Sequence, residues 1–197
     1  MDMHEATTAR HVIEVRDGQR SERDLQMLRE EPLTLRLNGE QAAVLMRLPG
    51  MERELVLGFC LSEGLVRAYD DVVVLAYSGD CPTGVDDPPR NEIDLRVQPE
   101  GLNRDARLDL VRLIRAGCGA IDVARSDLPL VPLTAGLVVP ERVVLGMAPA
   151  MNDAQVLHRQ LGGIHAAALF HSNGQMVVLC EDIGRHNAVD KTIGHCL

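Results

Sequence analysis

Aromatic residues are nearly missing from this chain. It has no tryptophan, and only Phe59, Tyr69, Tyr77 and Phe170 carry rings of that kind. Single-stranded nucleic acids are held by stacking on such rings, so platforms of that type are nearly absent. Positive charge is also scarce. Twenty Lys and Arg against 29 Asp and Glu leave a net charge of −9, which disfavours non-specific binding to DNA, RNA or an anionic membrane. No apolar run is long enough to span a bilayer. The N-terminal stretch MDMHEATTARHVIEV lacks the apolar core of a signal peptide. Cys60, Cys81, Cys118, Cys180 and Cys196 show no paired spacing. An odd count without a secretion signal points to free thiols in a reducing cytoplasm. No internal repeat is visible. What remains is ordinary globular material: 197 residues, 46% hydrophobic and 25% charged, enough for one packed domain or two small ones.

The densest run of polar groups set against regular structure is Gly162 to Gly194, GGIHAAALFHSNGQMVVLCEDIGRHNAVDKTIG. Ala166 to Phe170 is a short apolar strand. Asn173-Gly174 predicts a tight primed turn, and Gln175 to Cys180 the return strand. Gly184 to Gly194 reads as a helix, with Asp182 as its N-cap. Bare amides, the helix dipole and the Arg185 guanidinium converge at its start, which suits an anion. His186 and Asp190 are four apart, as are Asn187 and Lys191, so each pair shares a face one turn apart. An Asp190 carboxylate beside His186 would orient the ring and favour its charged form. Solvated pairs on a surface helix are the competing reading.

Upstream, His11 to Val15 reads as a short edge strand and Asp17 to Arg29 as a charged loop. Leu33 to Leu37 alternates apolar and polar as a half-buried strand does, and Asn38-Gly39 turns it into a return strand over Ala42 to Leu48. Glu52 to Leu65 has helical spacing, with Glu52 and Glu54 at its positive end and Gly64 at its C-terminal cap. Cys60 falls within that apolar pattern, as a buried structural thiol would. Val72 to Tyr77 reads as a buried strand, 78–90 as a loop carrying an inert Cys81, and Asn91 to Val97 as a strand paired with Val72 to Tyr77. The result is a small antiparallel sheet with one helix, an α+β pattern.

Arg104 to Arg115 reads as a short amphipathic helix ending in Ala116-Gly117-Cys118-Gly119-Ala120. Two glycines leave the Cys118 sulfur unshielded, and Arg112 and Arg115 are close enough to favour its thiolate, as a sulfur-carrying nucleophile requires. An incidental cysteine at a helix end is the alternative. Pro129, Pro132 and Pro140 mark an extended segment over 126–140. Glu141 to Leu145 and Asn152 to Leu161 read as helices, with Pro140 at an N1 position.

These residues resemble the formate dehydrogenase accessory sulfurtransferase family, FdhD/NarQ. The matching stretches are EEPLTLRLNGE (30–40), VLMRLPGMERELVLGFCLSEGLV (44–66), NEIDLRV (91–97), GGIHAAALF (162–170) and EDIGRHNAVDK (181–191). The resemblance implies an N-terminal β-rich lobe over residues 1–125, ending in the cysteine loop, and an incomplete α/β lobe like cytidine deaminase over 126–197. It implies transfer of persulfide sulfur from a cysteine desulfurase to the molybdenum cofactor in its bis-guanine-dinucleotide form, destined for formate dehydrogenase apoprotein. That cofactor would be a bound substrate, and the protein would hold no tightly bound metal of its own. Cys118 would carry the sulfur. His165, Arg185, His186, Asn187 and Lys191 would face the cofactor, although a buried, hydrogen-bonded His165 is an equal reading.

Two departures stand out. The family's loop is typically CGxCG, whereas this chain reads RAGCGAID. Either Ile121 replaces the second cysteine or Arg115 replaces the first. One thiol can carry a persulfide but cannot resolve it as an internal disulfide. The chain also stops soon after the GRHNAVDK helix, where family members continue, and a sheet cut there would expose an edge open to a second copy in a homodimer. The alternative functions are a non-catalytic cofactor-binding chaperone and an inactive truncated paralogue. A zinc deaminase is disfavoured: Ala167 stands where His-x-Glu needs its glutamate after His165, and no Cys-x-x-Cys exists.

Overall fold

The computed structural model describes residues 6–78, 91–102, 113–114 (backbone only) and 136–197. Cys81, Arg112, Arg115, Cys118 and Ile121 lie outside the described residues, as do most of the expected helix over 104–115 and the proline segment up to 135.

The described residues form three sheets and four α-helices, an α+β arrangement. The strands are β1 (Thr7–Arg16), β2 (Gln19–Leu28), β3 (Glu31–Leu37), β4 (Glu40–Arg47), β5 (Val72–Ser78), β6 (Glu92–Val97), β7 (Leu113–Ile114), β8 (His165–Phe170) and β9 (Met176–Asp182). The helices are α1 (Glu52–Ser62), α2 (Glu141–Ala154), α3 (Val156–Leu161) and α4 (Arg185–His195). The central sheet has the order β5-β6-β3-β4-β7. Leu33, Leu35 and Leu37 alternate into the core with Ile93 and Leu95 beside them, and α1 covers that face with Leu55, Val56 and Phe59. Each such side chain contributes about 1.5–3 kcal/mol on burial. The β3–β4 turn is the primed type, with Asn38 at φ 51° and Gly39 at φ 85°. Asn38 also ties the turn to β6, donating to the Val97 carbonyl at 3.1 Å and accepting its N–H at 2.9 Å. At its C-terminus α1 closes as a Schellman motif. Gly64 is left-handed at φ 66°, its N–H reaching the Leu61 carbonyl and that of Leu65 the Cys60 carbonyl.

Several expectations are corrected. The expected N-terminal edge strand and charged loop are two ten-residue strands, β1 and β2, turning at Asp17-Gly18 with φ 52° and 78°. Charges on both faces hide their period, and the Asp-Gly pair was the available signal. The sheet is mixed, because β6 runs parallel to β3 and β7 parallel to β4. Strand β5 lies on its edge and is largely exposed, Val73 at 60%, so its run of valines does not mark a buried strand. Leu113 and Ile114, expected on a helix, pair with β4 as β7, since so short an apolar stretch carries no decisive period. The hairpin at Asn173-Gly174 is not the two-residue primed type. Gly174 alone is left-handed, and the His171 N–H closes on the Gln175 carbonyl, the three-residue form. Helix α2 continues through Pro149 rather than stopping near Leu145, and Pro140 is its N-cap.

Helix α4 joins the C-terminal β8–β9 pair to helix α1. It lies on the β8–β9 pair and packs antiparallel against α1, Gly58 meeting the backbone of Asp190 and Gly194 that of Glu54. Without Cβ atoms at these two points the helices approach more closely than side chains allow. A smaller cluster of Ala6, Leu48, Leu157 and Ile164 ties the base of the β1–β2 hairpin to α3 and β8.

Candidate functional site

The end of β9 presents two adjacent carboxylates, which strand geometry sends to opposite faces. Glu181 accepts the Leu157 N–H at 3.0 Å and the His158 N–H at 2.9 Å, so it caps the start of α3. Asp182 points the other way and has no solvent exposure. Its Oδ1 accepts the Gly184 N–H at 2.8 Å and Asn187 Nδ2 at 3.0 Å. Its Oδ2 accepts the Leu48 N–H at 3.2 Å and lies 2.8 Å from Lys191 Nζ. A carboxylate offers about four lone-pair directions, and all are used. Asp182 thus takes an amide just before α4, as expected, but the N-cap position itself belongs to Gly184, which has no side-chain cap bond.

The far side of this nest is the turn from β4 to α1. Lys191 Nζ donates to the Leu48 carbonyl at 3.0 Å and Asn187 Nδ2 to the Met46 carbonyl at 2.7 Å. Next to them Arg47, also buried, donates to Asn91 Oδ1 at 2.8 Å and lies 3.2 Å from Glu52 Oε1, while its Nε has no partner among the described residues. Glu52 in turn accepts the Gly50 N–H at 2.6 Å. Met51, at φ 60° and ψ 38°, is left-handed. That conformation costs a non-glycine residue about 1–2 kcal/mol and persists because the surrounding bonds fix it.

The expected ligand-facing residues divide. Arg185 and His186 are exposed in the first turn of α4, and His165 is exposed in β8, opposite Asp182 in the strand register. Asn187 and Lys191 are buried, and their polar groups go to Asp182 and the β4–α1 turn. Asn187 and Lys191 share one face of α4 as expected, both reaching Asp182, whereas His186 and Asp190 do not pair. Asp190 is buried against α1 and accepts from Ser62 Oγ at 2.8 Å, while His186 faces solvent. Burial raises the Asp190 carboxyl to about 6; the Ser62 hydroxyl opposes the shift, and Glu63 and Asp182 add to it.

Among the described thiols, Cys60 and Cys180 are buried and Cys196 is exposed. Burial pushes the Cys60 and Cys180 thiols up, away from the nucleophilic thiolate. Among the described residues no group of three His, Cys, Asp or Glu side chains could hold a metal ion. No described helix is long and apolar enough to cross a membrane. Sequence reasoning missed the roles of Arg47, Leu48 and Glu181. Buried charges leave no periodic trace, and the one available signal was the density of charge around Pro49-Gly50 and Glu181-Asp182.

Comparison with known proteins adds an independent line. The model of the FdhD/NarQ family matches residues 28–197. A protein named sulfur carrier protein FdhD from Streptomyces avermitilis is 34% identical, over 99% of this chain and 71% of its own length. Its namesake from Mycolicibacterium paratuberculosis is 36% identical, over 98% and 72%. A crystal structure described as a formate dehydrogenase accessory protein from Desulfotalea psychrophila superposes with a TM-score of 0.69, covering 96% of this chain and 68% of that one. At 21% identity that likeness speaks for the fold alone.

Proposed function

This chain belongs to the FdhD/NarQ family, and from that premise we propose that it carries sulfur for the maturation of formate dehydrogenase. The observation that carries the reading is the match of nearly the whole chain to proteins named sulfur carriers. The Cys118 thiolate attacks the outer sulfur of a cysteine desulfurase persulfide, forming a Cys118 persulfide and releasing the desulfurase thiolate. The outer sulfur then passes to the metal of the molybdenum bis-guanine-dinucleotide cofactor, the substrate, which supplies two electrons as the Cys118 thiolate leaves. Arg185, His186 and His165, exposed about the start of α4, suit the diphosphate of that substrate. Formate dehydrogenase apoprotein receives the product in the cytoplasm.

The burial of Cys60 and Cys180 supports Cys118 by removing two competitors. The test is desulfurase-dependent transfer of 35S to the purified protein. Label is expected on wild type and on Cys196→Ala, and lost from Cys118→Ala. Equal labelling of Cys118→Ala removes the role of that residue. A second reading, a cofactor-holding chaperone that transfers no sulfur, is favoured by the single cysteine of the RAGCGAID loop. Binding of GDP without any 35S loading selects it.

A further inference from the structure

We propose that Asp182 is the positioning residue of this site, and that Asn187 and Lys191 serve the same scaffold without touching the ligand. The proposal rests on the reading that a nucleoside diphosphate group binds at the start of α4. It follows from how one carboxylate is used. All four donors of Asp182 come from segments that must be held in register for Arg185 and His186 to face solvent together. Gly184 N–H and Asn187 Nδ2 belong to the loop and first turn of α4, Leu48 N–H to the β4–α1 turn, and Lys191 Nζ to the second turn of α4.

Asp182 and Lys191 are both fully buried, and the lysine's second bond goes to the Leu48 carbonyl. An ammonium so enclosed cannot meet a diphosphate without leaving its carboxylate buried and unpaired, which is strongly unfavourable. Asn187 spends both amide hydrogens, on the Met46 carbonyl and on Asp182. The charge offered to a ligand therefore comes from Arg185, while the buried set fixes where that charge stands.

The test is calorimetry of the whole protein with GDP at 10 °C, well below melting, at several salt concentrations and with Tm measured in parallel. Arg185→Gln is expected to weaken GDP binding at least tenfold and to flatten the salt dependence, because a contacting charge has gone. Asp182→Asn sets an amide NH2 against other donors. It is expected to lower Tm and weaken binding at least tenfold while keeping the wild-type salt dependence. Should that variant fail to fold, Asn187→Ala removes one donor of the four and is expected to bind a few-fold more weakly, again with the salt dependence kept. A residue of purely structural importance would lower Tm and leave the Kd of the folded protein unchanged. Wild-type affinity in folded Asp182→Asn or Asn187→Ala overturns the positioning role. A flattened salt dependence in Lys191→Met places that ammonium on the ligand and overturns its assignment. Absence of GDP binding by wild type, or a normal Arg185→Gln, rejects the anion site and the positioning role with it.

Discussion

Gly58 of α1 rests on the backbone of Asp190 of α4: a Cβ built on Gly58 would stand 1.9 Å from the Asp190 carbonyl oxygen. Gly194 stands in the same relation to the Glu54 carbonyl, also at 1.9 Å. The contact between these two helices is thus backbone on backbone, and it sets how α4 delivers Lys191 and Asn187 to the β4–α1 turn.

Alanine at either glycine should be destabilising, although alanine is favoured over glycine inside a helix by about 1 kcal/mol. The added methyl meets backbone that cannot yield, and overpacking of that kind costs about 1–3 kcal/mol or more. Gly146→Ala in α2 is the control. Nothing lies within 4 Å of its Cβ position, so a gain of up to about 1 kcal/mol is expected. Urea denaturation of the three variants should give opposite signs for the α1–α4 pair and for α2.

Asp190→Asn should stabilise the protein at neutral pH. Burial raises this carboxyl from 3.8 to about 6, so the folded state favours its protonated form. That contribution is fully present below pH 3.8 and is lost as pH rises through 6. Two pKa units correspond to about 3 kcal/mol at most, and asparagine can still accept the Ser62 hydroxyl. The stability difference between variant and wild type should be near zero below pH 4, grow between pH 4 and 6, and stay level above pH 7. A constant difference across that range would refute the assignment.

Lys191→Met should cost about 3–5 kcal/mol, because it strands the Asp182 carboxylate in a dry interior. Adding Asp182→Asn to that variant should recover part of the loss. A thermal melt of the two singles and the double completes the cycle, and additive losses would mean the two side chains act independently.

Thiol chemistry should sort the cysteines by burial. Brief iodoacetamide treatment of the native protein should label Cys196, which is exposed, and spare Cys60 and Cys180 until denaturant is added. Peptide mass mapping reads the result. Rapid native labelling of Cys60 would show that the core around α1 is open.

Much of the fold could be read from local pattern. The alternation of Leu33, Leu35 and Leu37, the Asn38-Gly39 turn, the helical spacing from Glu52 and the Gly64 cap all reappear in the structure, because each is decided by residues within a few positions of one another. The β1–β2 hairpin escaped notice because its charged faces carry no period, and β7 because two residues cannot show one.

The division of labour around α4 was of another kind. Sequence alone fixed that His186, Asn187, Asp190 and Lys191 share one helix behind an Asp-Ile-Gly-Arg stretch, since helix and turn chemistry are local. It could not say which way each side chain faces. Only the packing of α4 on α1 and on the β4–α1 turn, more than a hundred residues earlier in the chain, turned Asn187, Asp190 and Lys191 inward and left Arg185 and His186 in water. The physical reason is that burial, and with it the partner a charge must find, is set by surfaces brought together from distant parts of the chain.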